Sequence, residues 1–536
     1  MPAVVAGLFT VLVIAVMLWR LRYGTEFTDE AFPTALAYRF ALGDRPFIDE
    51  IHYAQTAGLL LFPFVWVWLK IAGSSAGIVL YTRVLFLAFK LAVGGAVVAA
   101  VRRHLRTPLA IVVGLGAVVF VPHSIPNVGY NVLGGGLQAI AGFLAARACD
   151  DARPRRLLLA SGVSNGLAAV AYPPLGVPAV LLALVLLATR YVRRSDVGTY
   201  VLGGIVGAGW LVPLLVRAGS AQLHALLDLS ARTAERPPSK LLAIARELAQ
   251  GPIGFWLLAG AATLLILHQQ PRWSALVVPL FVACLALRLH VAIDGSLFLT
   301  TYLGLFAPTF LFLLWKDRFC RMLFLVVWLP SLVGGLLTAF MSGNGGAVNG
   351  GVGFHAGALV FGAYAAIAVT RLWDREGTGA DVLRLLGPAI LVLALLRQFA
   401  STMYREDAIP ALTARIPDGP HRGLYTTPER AVAAADLVRV FAEHDDPGGK
   451  LAVLWELPGV HLYSRMRPAT SSVWTFPVAD QEAFLRHYRA NVTGKGIALL
   501  LGTPAGYLLP VEPFITSQGH VLETIPLGTV WSEPTP

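Results

Sequence analysis

Thirteen apolar stretches of about membrane-crossing length recur along the chain, and they leave few folds open to it. They lie at about 3–19, 79–101, 107–121, 132–147, 157–171, 174–189, 199–217, 252–268, 274–291, 297–315, 322–341, 355–370 and 382–400. A helix needs ~20 predominantly apolar residues to cross a bilayer, and several of these are shorter. With 56% hydrophobic and 14% charged residues, the chain reads as a polytopic membrane protein with a soluble portion. The net charge of +11 does not signal nucleic acid, because most arginines sit in short clusters between apolar stretches.

Those clusters set the topology. Basic runs follow alternate stretches: Arg102–Arg106, Arg153–Arg156, Arg190–Arg194, Lys316–Arg321 and Arg371–Arg375. The connections near 122–131, 292–296 and 342–354 contain no Lys or Arg. Basic loops stay cytoplasmic, so the alternation predicts which connections share a side. Parity then requires that Thr56–Ile71 lie in the outer interface rather than cross, a position suited to Trp66 and Trp68. The expected layout has about thirteen spans, a cytoplasmic N-terminus, an outer first loop (20–78) and an extracytoplasmic C-terminus. The N-terminal stretch lacks the positive n-region and small-residue site of a cleaved signal, and reads as a retained helix.

The membrane part covers 1–400 and a second unit covers 401–536. From about Ser401 charges become frequent and apolar runs shorten to strand length, as in KLAVLWEL, GIALLLG and HVLETIPLG. PERAVAAADLVRVFAEH has helical periodicity with proline near its start. This predicts a small α/β domain outside the membrane. Cys149, Cys284 and Cys320 lie in or beside apolar stretches, so neither a disulfide framework nor a metal-ligand spacing is indicated.

Chemistry concentrates in Thr28–Lys70. Asp29-Glu30 follows the first apolar stretch, AFPTALAYRFALG reads as a short amphipathic helix stopped by Gly43, and Asp49-Glu50 follows with His52 and Tyr53 behind it. Carboxylates at a bilayer surface are costly and call for a functional explanation, with an ordinary wet loop as the alternative. The pattern DEA-x(7)-R-x(3)-G-x(2)-PFIDE-x-HY resembles the first outer loop of GT-C fold membrane glycosyltransferases. The likeness is to the branch of protein O-mannosyltransferases and lipid A aminoarabinose transferases, and it covers about the first hundred residues. Where several relatives carry Lys-Pro or Pro-Pro, this chain has Tyr53-Ala54-Gln55, so their lysine contact to the donor phosphate has no counterpart there.

The resemblance implies an all-α polytopic GT-C-like membrane domain in a bacterial plasma membrane. It implies inverting transfer of a sugar from a polyprenyl-phosphate donor to an envelope lipid, glycan or protein. Asp29 is the expected base, with Glu30 as its understudy. Asp49 either orients the acceptor or holds a divalent cation with Glu50, and no other cofactor is called for. Arg39, Arg83 and Lys240 are the expected phosphate ligands, since guanidinium forks suit phosphate oxygens. Glu50, His52, Tyr53 and Asn131 are candidate sugar or acceptor contacts, although the amides near Asn131 also suit helix capping. Glu456 and His461 read as strand flank and surface loop. A transporter or flippase of lipid-linked precursors is the rival class, but no inverted repeat of interrupted helices is evident.

Overall fold

The computed structural model describes the chain except residues 1, 53, 234–236, most of 251–294, 343–345, 373–377, 455, 475–480, 493–494, 501–510 and 533–536. Its helical part opens with α1 (Pro2–Arg20), α2 (Ala31–Ala41), α3 (Gln55–Ala72) and α4 (Ile78–Val101). It continues with α5 (Thr107–Val119), α6 (Tyr130–Cys149), α7 (Arg155–Ala171), α8 (Gly176–Thr189), α9 (Arg194–Gly209), α10 (Val212–Thr233) and α11 (Pro237–Gln250). After the mostly undescribed stretch come α12 (Gly295–Leu314), α13 (Arg318–Met341, with a π turn at Phe324–Trp328), α14 (His355–Leu372) and α15 (Thr378–Ser401).

Six described helices are long and apolar enough to cross a membrane, or seven if the bent pair Arg194–Gly209 and Val212–His224 is one span. Thr107–Val119, Pro173–Thr189 and Gly295–Leu311 are shorter apolar helices. The stretches expected at 252–268 and 274–291 fall mostly outside the described residues. Lipid-facing character is plain on α1, where Leu8 is 67% and Val11 65% exposed. Such surface is stable only against hydrocarbon or another apolar partner.

Packing separates two ends of the helical part. At one, the first loop meets the connections that lack Lys and Arg: Asn127 donates to the Asp29 carbonyl at 3.0 Å and Ser296 to the Val121 carbonyl at 2.8 Å. At the other, the basic connections meet: Arg103 pairs with Asp151 at 3.0 Å, Arg155 with Asp196 at 2.9 Å and Arg371 with Asp317, and His104 stacks on Phe319. The charge alternation along the sequence is therefore a segregation in space.

α2 departs from its expected amphipathic form. Ten of its eleven residues are buried, because α3 covers one side and the Pro458–Tyr463 turn of the C-terminal region covers another. Gly43 stops it as expected, in the left-handed region at φ +102° that other residues adopt only with strain. α3 begins and ends against the C-terminal region. The Ile51 N–H donates to the Ser471 carbonyl and the Gly77 N–H to the Gly419 carbonyl, each at 3.0 Å. Its middle rests on α4, where Trp68 stacks on Tyr81 at 4.7 Å, while Phe64, Trp66 and Ile71 remain exposed. These two contacts tie both flanks of α3 to the C-terminal region, although α3 (Gln55–Ala72) is one of the six helices long and apolar enough to cross a membrane.

The C-terminal region is α/β. A five-stranded sheet has order β4-β3-β5-β7-β6, from β3 (Lys450–Leu454), β4 (Arg467–Pro468), β5 (Ile497–Leu500), β6 (Val521–Ile525) and β7 (Gly528–Ser532). β3 is parallel to β4 and β5, and β6 and β7 form an antiparallel hairpin beside β5. A two-residue pair, β1 (Ala414–Arg415) with β2 (Tyr425–Thr426), precedes α16 (Pro428–His444), whose N-cap Thr427 accepts from the Arg430 N–H. α17 (Gln481–Asn491) and α18 (Val511–Gln518) complete it.

Single cysteines at Ser74 and Asp446 should be labelled by an impermeant thiol reagent from the same side of a membrane, and one at Arg193 from the other. Labelling of Ser74→Cys and Asp446→Cys from opposite sides would overturn the placement of α3.

Candidate active site around Asp29

The site grows from the sequence Thr25-Glu26-Phe27-Thr28-Asp29-Glu30, between α1 and α2. Glu26 is buried and folds the turn, accepting the Thr28 N–H at 2.8 Å, the Glu30 N–H at 2.7 Å and the Thr28 hydroxyl. Burial, opposed by the Thr28 hydrogen bond and reinforced by the Asp29 charge, pushes its pKa up to about 7. Asn127 holds the backbone from the far side through the Asp29 and Glu30 carbonyls.

The two adjacent carboxylates have different fates. Glu30 turns inward to Arg83, meeting Nε at 2.5 Å and Nη2 at 2.7 Å. Arg83 also donates to the carbonyls of Leu21, Tyr23 and Gly24, so all five guanidinium hydrogens have acceptors. Asp29 turns outward, with its side chain 32% exposed. Its Oδ2 accepts the Tyr404 hydroxyl at 2.8 Å and lies 4.0 Å from the Arg405 guanidinium. Oδ1 has no hydrogen-bond partner among the described residues.

Tyr404 and Arg405 come from the chain just beyond α15, which the sequence reading did not single out. Arg405 sits in the left-handed region at φ +52° and donates to the Thr28 hydroxyl at 3.0 Å. Arg430 secures this segment, bonding the Arg405 and Thr25 carbonyls, while Glu406 accepts from the Thr25 N–H and the Thr426 hydroxyl. Burial and the neighbouring Asp29 charge hold the Tyr404 hydroxyl protonated well above its ordinary range. Glu456 is half-buried within electrostatic reach of Arg405 and Asp29, and burial pushes its pKa up. Behind the turn lies a cavity of about 20 Å³, room for about one water, lined by Glu26, Glu30, Arg83, Tyr404 and Glu406 among others.

The remaining candidates are placed elsewhere. Arg39 is buried in an ion pair with Asp44 at 2.8 Å and donates to the Met466 carbonyl, so its fork is engaged by protein. Arg83 is equally engaged, each of its guanidinium hydrogens having a protein acceptor. Asp49 pairs with Arg45 at 2.7 Å on the surface. Glu50 turns the opposite way, accepting the Val473 N–H at 3.0 Å and the His52 N–H at 2.8 Å. The two carboxylates are thus engaged by different parts of the protein. His52 is buried between Phe32 and Trp474 and accepts the Ala54 N–H, and burial pulls its pKa down to about 3. Lys240 donates to the Ser342 carbonyl. Asn131 is half-buried in the first turn of α6; its neighbour Asn127 is the amide that reaches the Asp29 turn. Tyr53 lies outside the described residues.

Among the described residues the one group of three potential metal ligands is Glu443, His444 and Glu523, in the C-terminal region. Arg439 already meets Glu523 at 2.5 Å and Glu443 at 3.8 Å there. No protein-family model and no curated protein matches this chain.

Glu50 makes the burial of this region measurable. Burial is the first cause that pushes its pKa up to about 7. A raised folded-state carboxyl pKa gives stability that is fully present below pH ~4.5 and is lost as pH rises to about 7. The stability of Glu50→Gln relative to the native chain should therefore shift in the variant's favour by about 2–3 kcal/mol between pH 4.5 and 7.5. Thermal unfolding in detergent reads this; a difference independent of pH would show that Glu50 is not buried.

Proposed function

We propose that this chain is an inverting glycosyltransferase that moves a sugar from a polyprenyl-phosphate donor to a hydroxyl of an envelope lipid, glycan or protein. On this reading it is a GT-C type enzyme with about thirteen crossings in a bacterial plasma membrane. The Asp29 turn and the C-terminal region face the extracytoplasmic side, and the N-terminus is cytoplasmic. The first-loop motif supports the family. The observation that carries the reading is the outward Asp29 carboxylate, fixed by Tyr404 beside the exposed Arg405 guanidinium.

The chemistry follows from that arrangement. Asp29 Oδ1 accepts the proton of the acceptor hydroxyl as its oxygen attacks the anomeric carbon. The bond from that carbon to the phosphate oxygen breaks, the polyprenyl phosphate leaves with the bonding electrons, and the anomeric configuration inverts. Arg405 is the cation placed to receive the departing phosphate, with a planar fork suited to its oxygens. Tyr404 positions the carboxylate through Oδ2 and leaves Oδ1 for the substrate. Arg405 takes the phosphate role expected of Arg39 and Arg83.

Purified protein given a polyprenyl-phosphate sugar and an acceptor should form product, and Asp29→Asn should lower kcat by ~10²–10⁴-fold with little change in donor affinity. Arg405→Gln should instead raise the donor KM. Near-native turnover by Asp29→Asn would refute the role of Asp29, and no sugar release from any polyprenyl-phosphate donor would refute the reaction class.

A further inference from the structure

At the end of the helical part remote from Asp29, two arginine-rich connections are brought together. The cause is the packing of α7 on α9. Gly162 and Gly166 face Gly203 and Gly207 so closely that a Cβ on Gly162 would lie 2.0 Å from the Tyr200 carbonyl oxygen. Small residues four apart on each helix allow this backbone approach. Asn165 adds a hydrogen bond to the Tyr200 hydroxyl at 2.7 Å. The close contact sets the turn before α7 against the turn before α9.

Between the two turns lies a concavity of about 850 Å³ lined by Arg153, Arg155, Arg156, Arg190, Arg193 and Arg194. Its two carboxylates, Asp151 and Asp196, are already engaged. Asp196 pairs with Arg155 at 2.9 Å, and Asp151 with Arg103 at 3.0 Å and Arg147 at 3.6 Å. Five of the six lining arginines thus have no carboxylate partner among the described residues. Like charges gathered around a concave surface raise the local potential and favour an anion within it. The guanidinium fork favours a phosphate, which it can bind through two oxygens.

The surface beside the concavity indicates how that phosphate is delivered. Leu159 lies one turn beyond Arg156 and Leu187 one turn before Arg190, and both are exposed. Val201, Leu202 and Ile205 continue the exposed apolar surface along α9 at 45%, 54% and 61%. Cations at the helix ends with an apolar wall above them match an amphiphile with an anionic head. We propose that this concavity binds the phosphate headgroup of an anionic phospholipid, whose acyl chains lie along α7, α8 and α9. The site rests on the membrane reading of the chain and is independent of glycosyl transfer. With the basic end cytoplasmic, the lipid belongs to the inner leaflet.

The test uses the full chain purified in detergent and mixed with phosphatidylglycerol or phosphatidylcholine of equal chain length, with retained lipid counted by native mass spectrometry. Phosphatidylglycerol should be retained roughly tenfold better. R156Q/R193Q should abolish that preference. R318Q/R321Q, which removes equal charge at the same end outside the concavity, should keep it. Millimolar inorganic phosphate should not displace the lipid. R156K/R193K, which keeps the charge and folding contacts but removes the forks, should give an intermediate preference, and it replaces the glutamine pair if that pair does not fold. Equal retention of both lipids, equal losses in R156Q/R193Q and R318Q/R321Q, full preference in R156K/R193K, or displacement by inorganic phosphate would each overturn the proposal, the last in favour of a soluble phosphate ligand.

Discussion

The Arg83–Glu30 pair is the interaction on which the first loop depends. Both side chains are almost fully buried, and the guanidinium gives all its hydrogens to the Glu30 carboxylate and to three carbonyls just beyond α1. Breaking a buried pair by removing one partner typically costs ~3–5 kcal/mol, because the other charge is left uncompensated. Here the loss would also release the carbonyls of Leu21, Tyr23 and Gly24. The pair therefore joins α4, the end of α1 and the start of α2, and it fixes the direction of the next residue. With Glu30 turned in, Asp29 turns out.

That turn is also where the membrane part and the C-terminal region become one unit. Phe27 belongs to the hydrophobic core of the C-terminal region, and its carbonyl accepts the Gly459 N–H at 2.8 Å. A Cβ on Gly459 would fall within 3.0 Å of the Phe27 backbone, so glycine is what permits the contact. Arg20 ties the end of α1 to the Phe399 and Thr402 carbonyls, which brings Tyr404 and Arg405 to Asp29. The composition change at Ser401 marks where the chain becomes more polar. Contacts cross it, and the candidate site is built from both sides of it.

Much of this was legible in the sequence where local physics decides. α16 spans the stretch its periodicity and leading proline indicated, Gly43 stops α2, and the arginine clusters and Arg-free connections collect at opposite ends. β1, β2 and β4 escape notice because two residues carry no alternation, and β7 (Gly528–Ser532) is missed as well. The sequence makes α2 amphipathic, yet residues some 420 positions later cover its other face. Arg39 and Arg83 meet Asp44 and Glu30, partners the sequence does not announce: an arginine near a membrane surface suits a phosphate and a protein carboxylate equally, and sequence does not say which anion arrives. Tyr404 and Arg405 carried only a faint signal, an aromatic and a cation directly after the last apolar stretch.

On the proposed function the adjacent carboxylates divide labour, Glu30 holding the turn and Asp29 acting from it. The most direct measurement is the effect of Glu30→Gln on melting temperature and on turnover in the same preparation. The division predicts a destabilised protein whose surviving folded fraction keeps turnover within about tenfold of native, since general-base loss is typically worth ~10²–10⁴-fold. A Glu30→Gln protein as stable as the native chain but devoid of turnover would contradict it, and would move the reactive role from Asp29 to its neighbour.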